Sequence, residues 1–229
     1  MSQRAGTKLW AVVPIKLLAR TKRRLMPLLS SEEREAVACA MLEDVLAALM
    51  HAPSLAGVTV ITGDVKAAAI ARAAGAAIIV DDENVGMSAA VTKAAQHLAD
   101  AGREGILVIP ADVPLITRAD VESIAAAHRA APSVTLVPAS IDGGTNALAS
   151  SPPDACSFCF GDDSFGKHLE ASRSRGIEPQ VLHLARVAQD IDRPDDLAAF
   201  LRHPSPTRTH AYLTRKGIAD RLTSEPITP

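Results

Sequence analysis

Five cations, Lys16, Arg20, Lys22, Arg23 and Arg24, crowd into nine consecutive positions directly after the apolar run LWAVVPI at residues 9–15. They cannot all be buried unpaired. A charge run is usually a solvated face. At the carboxyl end of a strand, however, a cation cluster faces the place where an anionic ligand binds. No G-x-x-x-x-G-K and no G-x-G-x-x-G accompanies the run, which weakens ATPase and dinucleotide-dehydrogenase readings together. Carboxylates form the second group. Asp112 stands in VIPADVPLI with a proline two residues away on either side, and Asp190 and Asp192 alternate with the apolar Ile191 in QDIDRP. Alternation in an extended segment turns both aspartates to one side. With Asp112 from another strand end they make a divalent-cation site, and hard oxygen ligands suit Mg²⁺. The plainer roles are a turn carboxylate for Asp112 and a helix cap for Asp192. A third group lies in DGGTNAL, where Gly143 and Gly144 allow a tight turn and Thr145 and Asn146 add short hydrogen-bonding side chains, together an anion cradle. In GDDSFGKH, Gly161 and Ser164 open a helix whose free amides favour an anion, with Lys167 and His168 close behind.

These residues need a frame that brings strand ends together. Apolar runs at 9–15, 58–62, 76–80, 106–110 and 134–138 read as strands. Between them lie amphipathic stretches. Ser30 and Glu33 are spaced as a capping box, Gly75 suits a helix C-cap, and Thr117 and Asp120 sit in cap positions. The βαβ rhythm predicts an α/β fold, a mainly parallel sheet flanked by helices on both faces, with ligands at the carboxyl ends of the strands. The loops after the strands are PIKLLARTKRRL, TGD, DDENVGMS and ADVPL. Beyond residue 140 the rhythm changes to a glycine turn, two short strand-like pieces and a helix from about Ser164, a small antiparallel insertion. A last strand and a short helix follow. Residues 203–229 read as a Pro/Thr-rich tail of little periodicity, expected to be flexible or to pack on a partner.

The chain of 229 residues fits one domain, and 24 basic against 26 acidic residues leave no basic face for nucleic acid. No stretch approaches the length of a membrane span, and the N-terminal apolar run is too short for a signal peptide, so a cytoplasmic protein with small-molecule partners is expected. Three cysteines argue against a disulfide framework, and Cys156 with Cys159 form a lone C-x-x-C without the second pair that a metal centre needs. Apolar helix faces are compatible with a homodimer and with a monomer alike.

Taken in order, WAVVPIK…ARTKRRL, VIPADVPLI, DGGTNAL, FGDDSFGKH and DIDRPDDL resemble the CofC/FbiD family of guanylyltransferases, over nearly the whole chain to about Leu201. GGTN and FG..SF..H carry most of the specificity. The first loop and PAD are shared more widely among nucleotidyltransferases of the glycosyltransferase-A-like fold. The resemblance implies a nucleotidyltransferase domain of that fold over residues 1–202. It also implies a step in coenzyme F-420 biosynthesis, in which GTP and a small phosphorylated carboxylic acid give a guanylylated diphosphate and pyrophosphate. Asp112, Asp190 and Asp192 would hold Mg²⁺, while Lys16, Lys22 and Arg24 would bind the triphosphate, with Lys16, Lys22 and Asp112 carrying the catalysis. Thr145, Asn146, Gly161, Ser164 and His168 fall to the acceptor. Ser88, in GMSAAV, replaces an asparagine that relatives carry near the nucleotide. Members of the family use 2-phospho-L-lactate, phosphoenolpyruvate or 3-phospho-D-glycerate. The polar Asp162, Asp163, Lys167 and His168 tilt the expectation toward the hydroxylated acid, 3-phospho-D-glycerate. Two other readings are a related transferase using CTP or a molybdopterin acceptor, and a non-catalytic nucleotide-binding regulator that kept the fold.

Overall fold

A computed structural model describes residues 7–83, 85–141 and 143–224. Asn84 of the DDENVGMS loop and Asp142 of the glycine turn lie outside the described residues, as do the first six and last five positions. The strands are β1 (Leu9–Ile15), β2 (Leu55–Thr62), β3 (Ala77–Val80), β4 (Gly105–Val108), β5 (Ser133–Pro138), β6 (Thr145–Ser151) and β7 (Gln180–Val181). They form one sheet in the order β3-β2-β1-β4-β6-β5-β7. β1 pairs in parallel with β2 and β4, and β2 with β3, so the loops after these four strands open on one edge. β6 is antiparallel to both β4 and β5. The expected antiparallel piece is therefore a strand inside the sheet. Of the last strand expected after residue 180, only the two residues of β7 pair.

The helices are α1 (Ser31–Met50), α2 (Val65–Ala74), α3 (Met87–Asp100), α4 (Arg118–Ala127), α5 (Ser164–Arg173), α6 (Pro194–Leu201), α7 (Arg208–Arg215) and α8 (Ile218–Ser224). Their ends follow the local chemistry. Ser30 and Glu33 close a capping box on α1, Thr117 and Asp120 close another on α4, and Gly75 ends α2 at φ 88°. Two apolar layers sandwich the sheet. One gathers Val45 and Leu49 of α1, Val121 of α4, Phe200 of α6 and Leu213 of α7 against Val13, Val60 and Leu107. The other packs Val91, Ala94 and Leu98 of α3, with Cys156 and Phe158, against Val12, Ile106 and Leu148.

The expected break at residue 202 does not mark the end of ordered packing. α7 docks on α1 through Asp44, whose Oδ1 accepts the Arg208 amide and whose Oδ2 accepts both the amide and the hydroxyl of Thr209, at 2.7–2.9 Å. Arg221 of α8 then makes a paired bond to Glu33. The sequence hides this docking because polar groups carry it, leaving only Leu213 and Ile218 as fully buried apolar anchors.

Candidate active site

A cavity of about 830 Å³ opens at the carboxyl ends of β1, β3 and β4. Lys16, Lys22, Arg24, Ser88, Asp112, Gly161 and Asp192, all expected at the site, line it. The β1 loop is two turns of 3₁₀ helix, residues 18–20 and 23–25, joined through Lys22 at φ 53°. A non-glycine residue in that conformation needs compensation. The compensation is ionic: Lys22 Nζ donates to Asp112 Oδ2 at 2.8 Å and to Asp192 Oδ1 at 2.6 Å, with the lysine side chain only 7% exposed. Burial alone would lower the Lys22 pKa, but Asp112 and Asp192 outweigh it and raise it. Asp64, the cap of α2, braces the same loop by accepting the Leu18 amide at 2.9 Å. Lys16, Arg20 and Arg23 are exposed and make no ion pair among the described residues.

The aspartates arrive from two segments tied at the backbone. The Ile191 amide donates to the Asp112 carbonyl at 3.0 Å, and Ile191 is fully buried. Asp190 and Asp192 flank it in extended chain that belongs to no strand. Asp192 is not the cap of α6: Asp196 reaches back to the amides of Asp192 and Arg193, which leaves the Asp192 carboxylate for Lys22 and, at 3.6 Å, Arg24. Burial opposes its ionisation, yet Lys22 and Arg24 hold its pKa below the usual carboxylate range. Asp190 behaves oppositely. Burial pushes it up to about 6, and the Asp112 carboxylate adds to the rise, against a 3.0 Å hydrogen bond from Asn146 Nδ2.

The three carboxylates do not converge as a cage. Among the described residues no three Asp, Glu, His or Cys side chains are grouped to hold a metal ion. Lys22 stands between Asp112 and Asp192, and among the described residues Asp112 Oδ1 makes no hydrogen bond. Asp190 does not line the cavity but is close enough for the Asp112 charge to add to its burial-driven rise, so Asp112, with Asp190 beside it, would suit a Mg²⁺ ion that takes one or two carboxylates and fills its shell with water and substrate phosphate.

The residues expected for the acceptor divide. Gly161, at φ 122°, lines the cavity beside Phe160, whose carbonyl accepts from Ser88 Oγ at 3.3 Å. Thr145, Ser164 and His168 form a buried cluster behind it. His168 Nε2 accepts the Cys159 amide at 2.9 Å, so the ring is the Nδ1–H tautomer, and Nδ1 donates to Thr145 Oγ1 at 2.9 Å. Burial holds its pKa down at about 4, so it is neutral. His168 is fully buried with both nitrogens engaged, and it orients Thr145 instead of reaching the cavity. Lys167 turns to the carbonyl of Asp162. Asn146 is the support of Asp190. Arg20, one of the crowded cations, lines the cavity as expected, whereas Asp81, at the end of β3, escaped the sequence reading. The rule that ligands gather at carboxyl ends points at Asp81 too, but nothing in VDDENVG separates it from a loop acid.

Residues 9–226 match the family model described as "Guanylyl transferase CofC like". A phosphoenolpyruvate guanylyltransferase of Roseiflexus sp. (strain RS-1) is 38% identical over 90% of this chain and 93% of its own. A 3-phospho-D-glycerate guanylyltransferase of Colwellia psychrerythraea is 35% identical (85% and 92%), and a 2-phospho-L-lactate guanylyltransferase of Methanothermobacter thermautotrophicus 32% (91% and 91%). A solved protein from Desulfovibrio desulfuricans G20 superposes with a TM-score of 0.74 at 17% identity, covering 94% of this chain and 98% of that one. A nucleotidyl transferase from Methanothermobacter thermautotroptrophicus gives 0.61 at 18% identity, with 92% and 100% covered. These two show the fold, a nucleotidyltransferase-like α/β domain. The match over nearly the whole length, with relatives above 30% identity, establishes that the chain belongs to the CofC-like family of guanylyl transferases.

Proposed function

We propose that the protein transfers GMP from GTP to the phosphate of a small phosphorylated carboxylic acid, releasing pyrophosphate, in the biosynthesis of coenzyme F-420. The observation that carries this reading is the Lys22 bridge between Asp112 and Asp192 at the mouth of a cationic cavity. An oxygen of the acceptor phosphate forms the new bond to the α-phosphorus of GTP. The bond from that phosphorus to the β-phosphate oxygen breaks, and pyrophosphate leaves with the electron pair. The nucleophile is already an anion, so no general base is needed. The barrier is repulsion between two anions, lowered by fixed cations and by in-line placement. Lys16, Arg20 and Arg23 draw the triphosphate in, and Lys22 is held rigidly where charge builds on the leaving group. Asp112 and Asp190 would hold Mg²⁺, which supplies further charge neutralisation when bound.

Support for the acceptor comes from the relatives, which are named for three different phosphorylated acids. Of the four polar groups that favoured 3-phospho-D-glycerate, two are taken up internally, His168 in its buried cluster and Lys167 on a backbone carbonyl, while Asp162 and Asp163 are exposed. The reading therefore rests at the class of phosphorylated carboxylic acid. Pyrophosphate release measured for each of the four NTPs with each of the three acids and Mg²⁺ tests it. GTP with at least one acid is expected to give turnover; turnover only with CTP would favour the cytidylyl alternative, and none with any pair would remove the assignment.

A further inference from the structure

We propose that Asp81 reads the guanine base, with its carboxylate accepting from N1–H and the exocyclic N2 amine. This deepens the guanylyl-transfer reading and rests on it. Asp81 is 92% buried by its 8% exposure, lines the cavity, and its carboxylate has no hydrogen-bond or ion-pair partner among the described residues. The carboxylate oxygens are not sealed off; what opening they keep is onto the cavity, where a bound ligand can supply donors.

Its position is fixed by the backbone. The Asp81 amide donates to the Thr62 carbonyl at 3.1 Å, and a Cβ at Gly63 would overlap the Asp81 carbonyl, so the ends of β2 and β3 are clamped together. Strand alternation puts Asp81 on the face of Ile79, which packs in the α3 layer. The start of α3 lines the same cavity. Gly86 caps that helix without a side-chain hydrogen bond, and Gly86, Met87 and Ser88 line the cavity. The uncapped first-turn amides are donors, and their dipole favours the nearby carboxylate.

Acceptor and donors side by side decide what this end of the cavity takes. A phosphate is disfavoured by the Asp81 charge, so the triphosphate goes to the cations of the β1 loop and the nucleoside to the β3 end. In the strand order β3-β2-β1-β4, Asp81 is three strand spacings, about 14 Å, from the loop of Asp112. The nucleotide group farthest from the reacting phosphorus is the base edge, not the ribose. Among the four bases only guanine presents two adjacent donors beside an acceptor. N1–H and the N2 amine match the two carboxylate oxygens, and O6 matches an α3 amide. Cytosine and adenine each offer a single amine beside a ring acceptor, and uracil places a carbonyl on either side of its one N–H.

The test compares nucleotides on one protein. Wild-type protein should bind GTP about tenfold or more tighter than ITP, which lacks the N2 amine. Asp81→Asn should weaken GTP by a similar factor and strengthen XTP, whose C2 carbonyl accepts from the asparagine amide while N1–H keeps its acceptor. The ratio of XTP to GTP affinity, read by calorimetry beside an unchanged melting temperature, should rise about a hundredfold. An unchanged ratio in Asp81→Asn, or equal wild-type affinity for GTP and ITP, would overturn the assignment, and the wild-type comparison holds even where the variant fails to fold. Absence of turnover with every acid would count against the guanylyl-transfer reading alone, because the binding ratios are measured without an acceptor.

Discussion

Lys22 and the aspartates around it show how one buried cation sets the state of several groups. Its ammonium lies within hydrogen-bond reach of two carboxylates from segments 90 and 170 residues away, and it secures a left-handed backbone in a loop that also presents exposed cations. The pairing divides the acids: Asp192 is held ionised by its cations, while Asp190, pressed by burial and by Asp112, is raised to about 6. Asp112 has one oxygen on Lys22 and, among the described residues, no hydrogen bond on the other, which would serve the ion it is proposed to hold. Replacement by Asn keeps the volume and removes the charge. Asp112→Asn should lower the melting temperature somewhat, because Lys22 keeps only Asp192 as a charged partner, while lowering turnover by roughly a hundredfold or more and weakening the dependence on Mg²⁺ concentration. Full activity in that variant would take Asp112 out of the metal site. The sequence made Asp112, Lys16, Lys22 and Arg24 legible because strand ends collect ligands. It did not show the ion pairs, since no local pattern links Lys22 to Asp192. His168 was legible as a site-associated residue but not as a buried one, because its two partners come from different loops.

At the scale of elements, side-chain capping explains where α1, α2, α4 and α7 begin. It also explains the C-terminal segment. Asp44, on the flank of α1, accepts from the first two amides of α7 and from the Thr209 hydroxyl, so one helix caps another. Asp44→Ala should cost about 1–3 kcal/mol in urea denaturation and loosen residues 208–224 in hydrogen exchange, with the KM for GTP unchanged because Asp44 does not line the cavity. A variant as stable as the wild type would show that α7 adds nothing to folding. The capped helices α1, α2 and α4 were legible from apolar spacing and caps. α7 was not, because its buried face is a threonine and a leucine, too little for a periodic signal. The sheet was legible strand by strand, but not the place of β6. Its residues TNALASS are fully buried, and only the register against Ile106–Val108 on one side and β5 on the other reveals a reversed strand at the centre of the sheet.

For the molecule as a whole, protons report on the buried imidazoles. Burial holds both His128 and His168 down at about 4, against 6.5 for an exposed histidine. The folded state therefore resists protonation while the unfolded chain accepts it. The stability these neutral rings allow is complete above about pH 6.5 and declines as pH falls from there toward 4. The melting temperature should drop across that window, and His128→Gln, which cannot titrate, should flatten the slope even if it lowers stability throughout; an equally steep slope would remove His128 from the account. Glu33 adds a second, more acidic loss. Its hydrogen bonds from Arg221 and the Ser30 amide lower it to about 2, so the tie between α8 and α1 persists above about pH 4.5 and weakens as pH falls toward 2. No helix among the described residues is long and apolar enough to cross a membrane. What unites cavity, cations and family is a single bond-forming step, and its product gives the most direct measurement. ³¹P NMR of the protein incubated with GTP, Mg²⁺ and phosphoenolpyruvate, 3-phospho-D-glycerate or 2-phospho-L-lactate should show two coupled diphosphate resonances from a new bridge between the acid's phosphate and GMP, with one pyrophosphate per bridge. GTP left intact with every acid, or pyrophosphate formed with no coupled pair, would contradict guanylyl transfer.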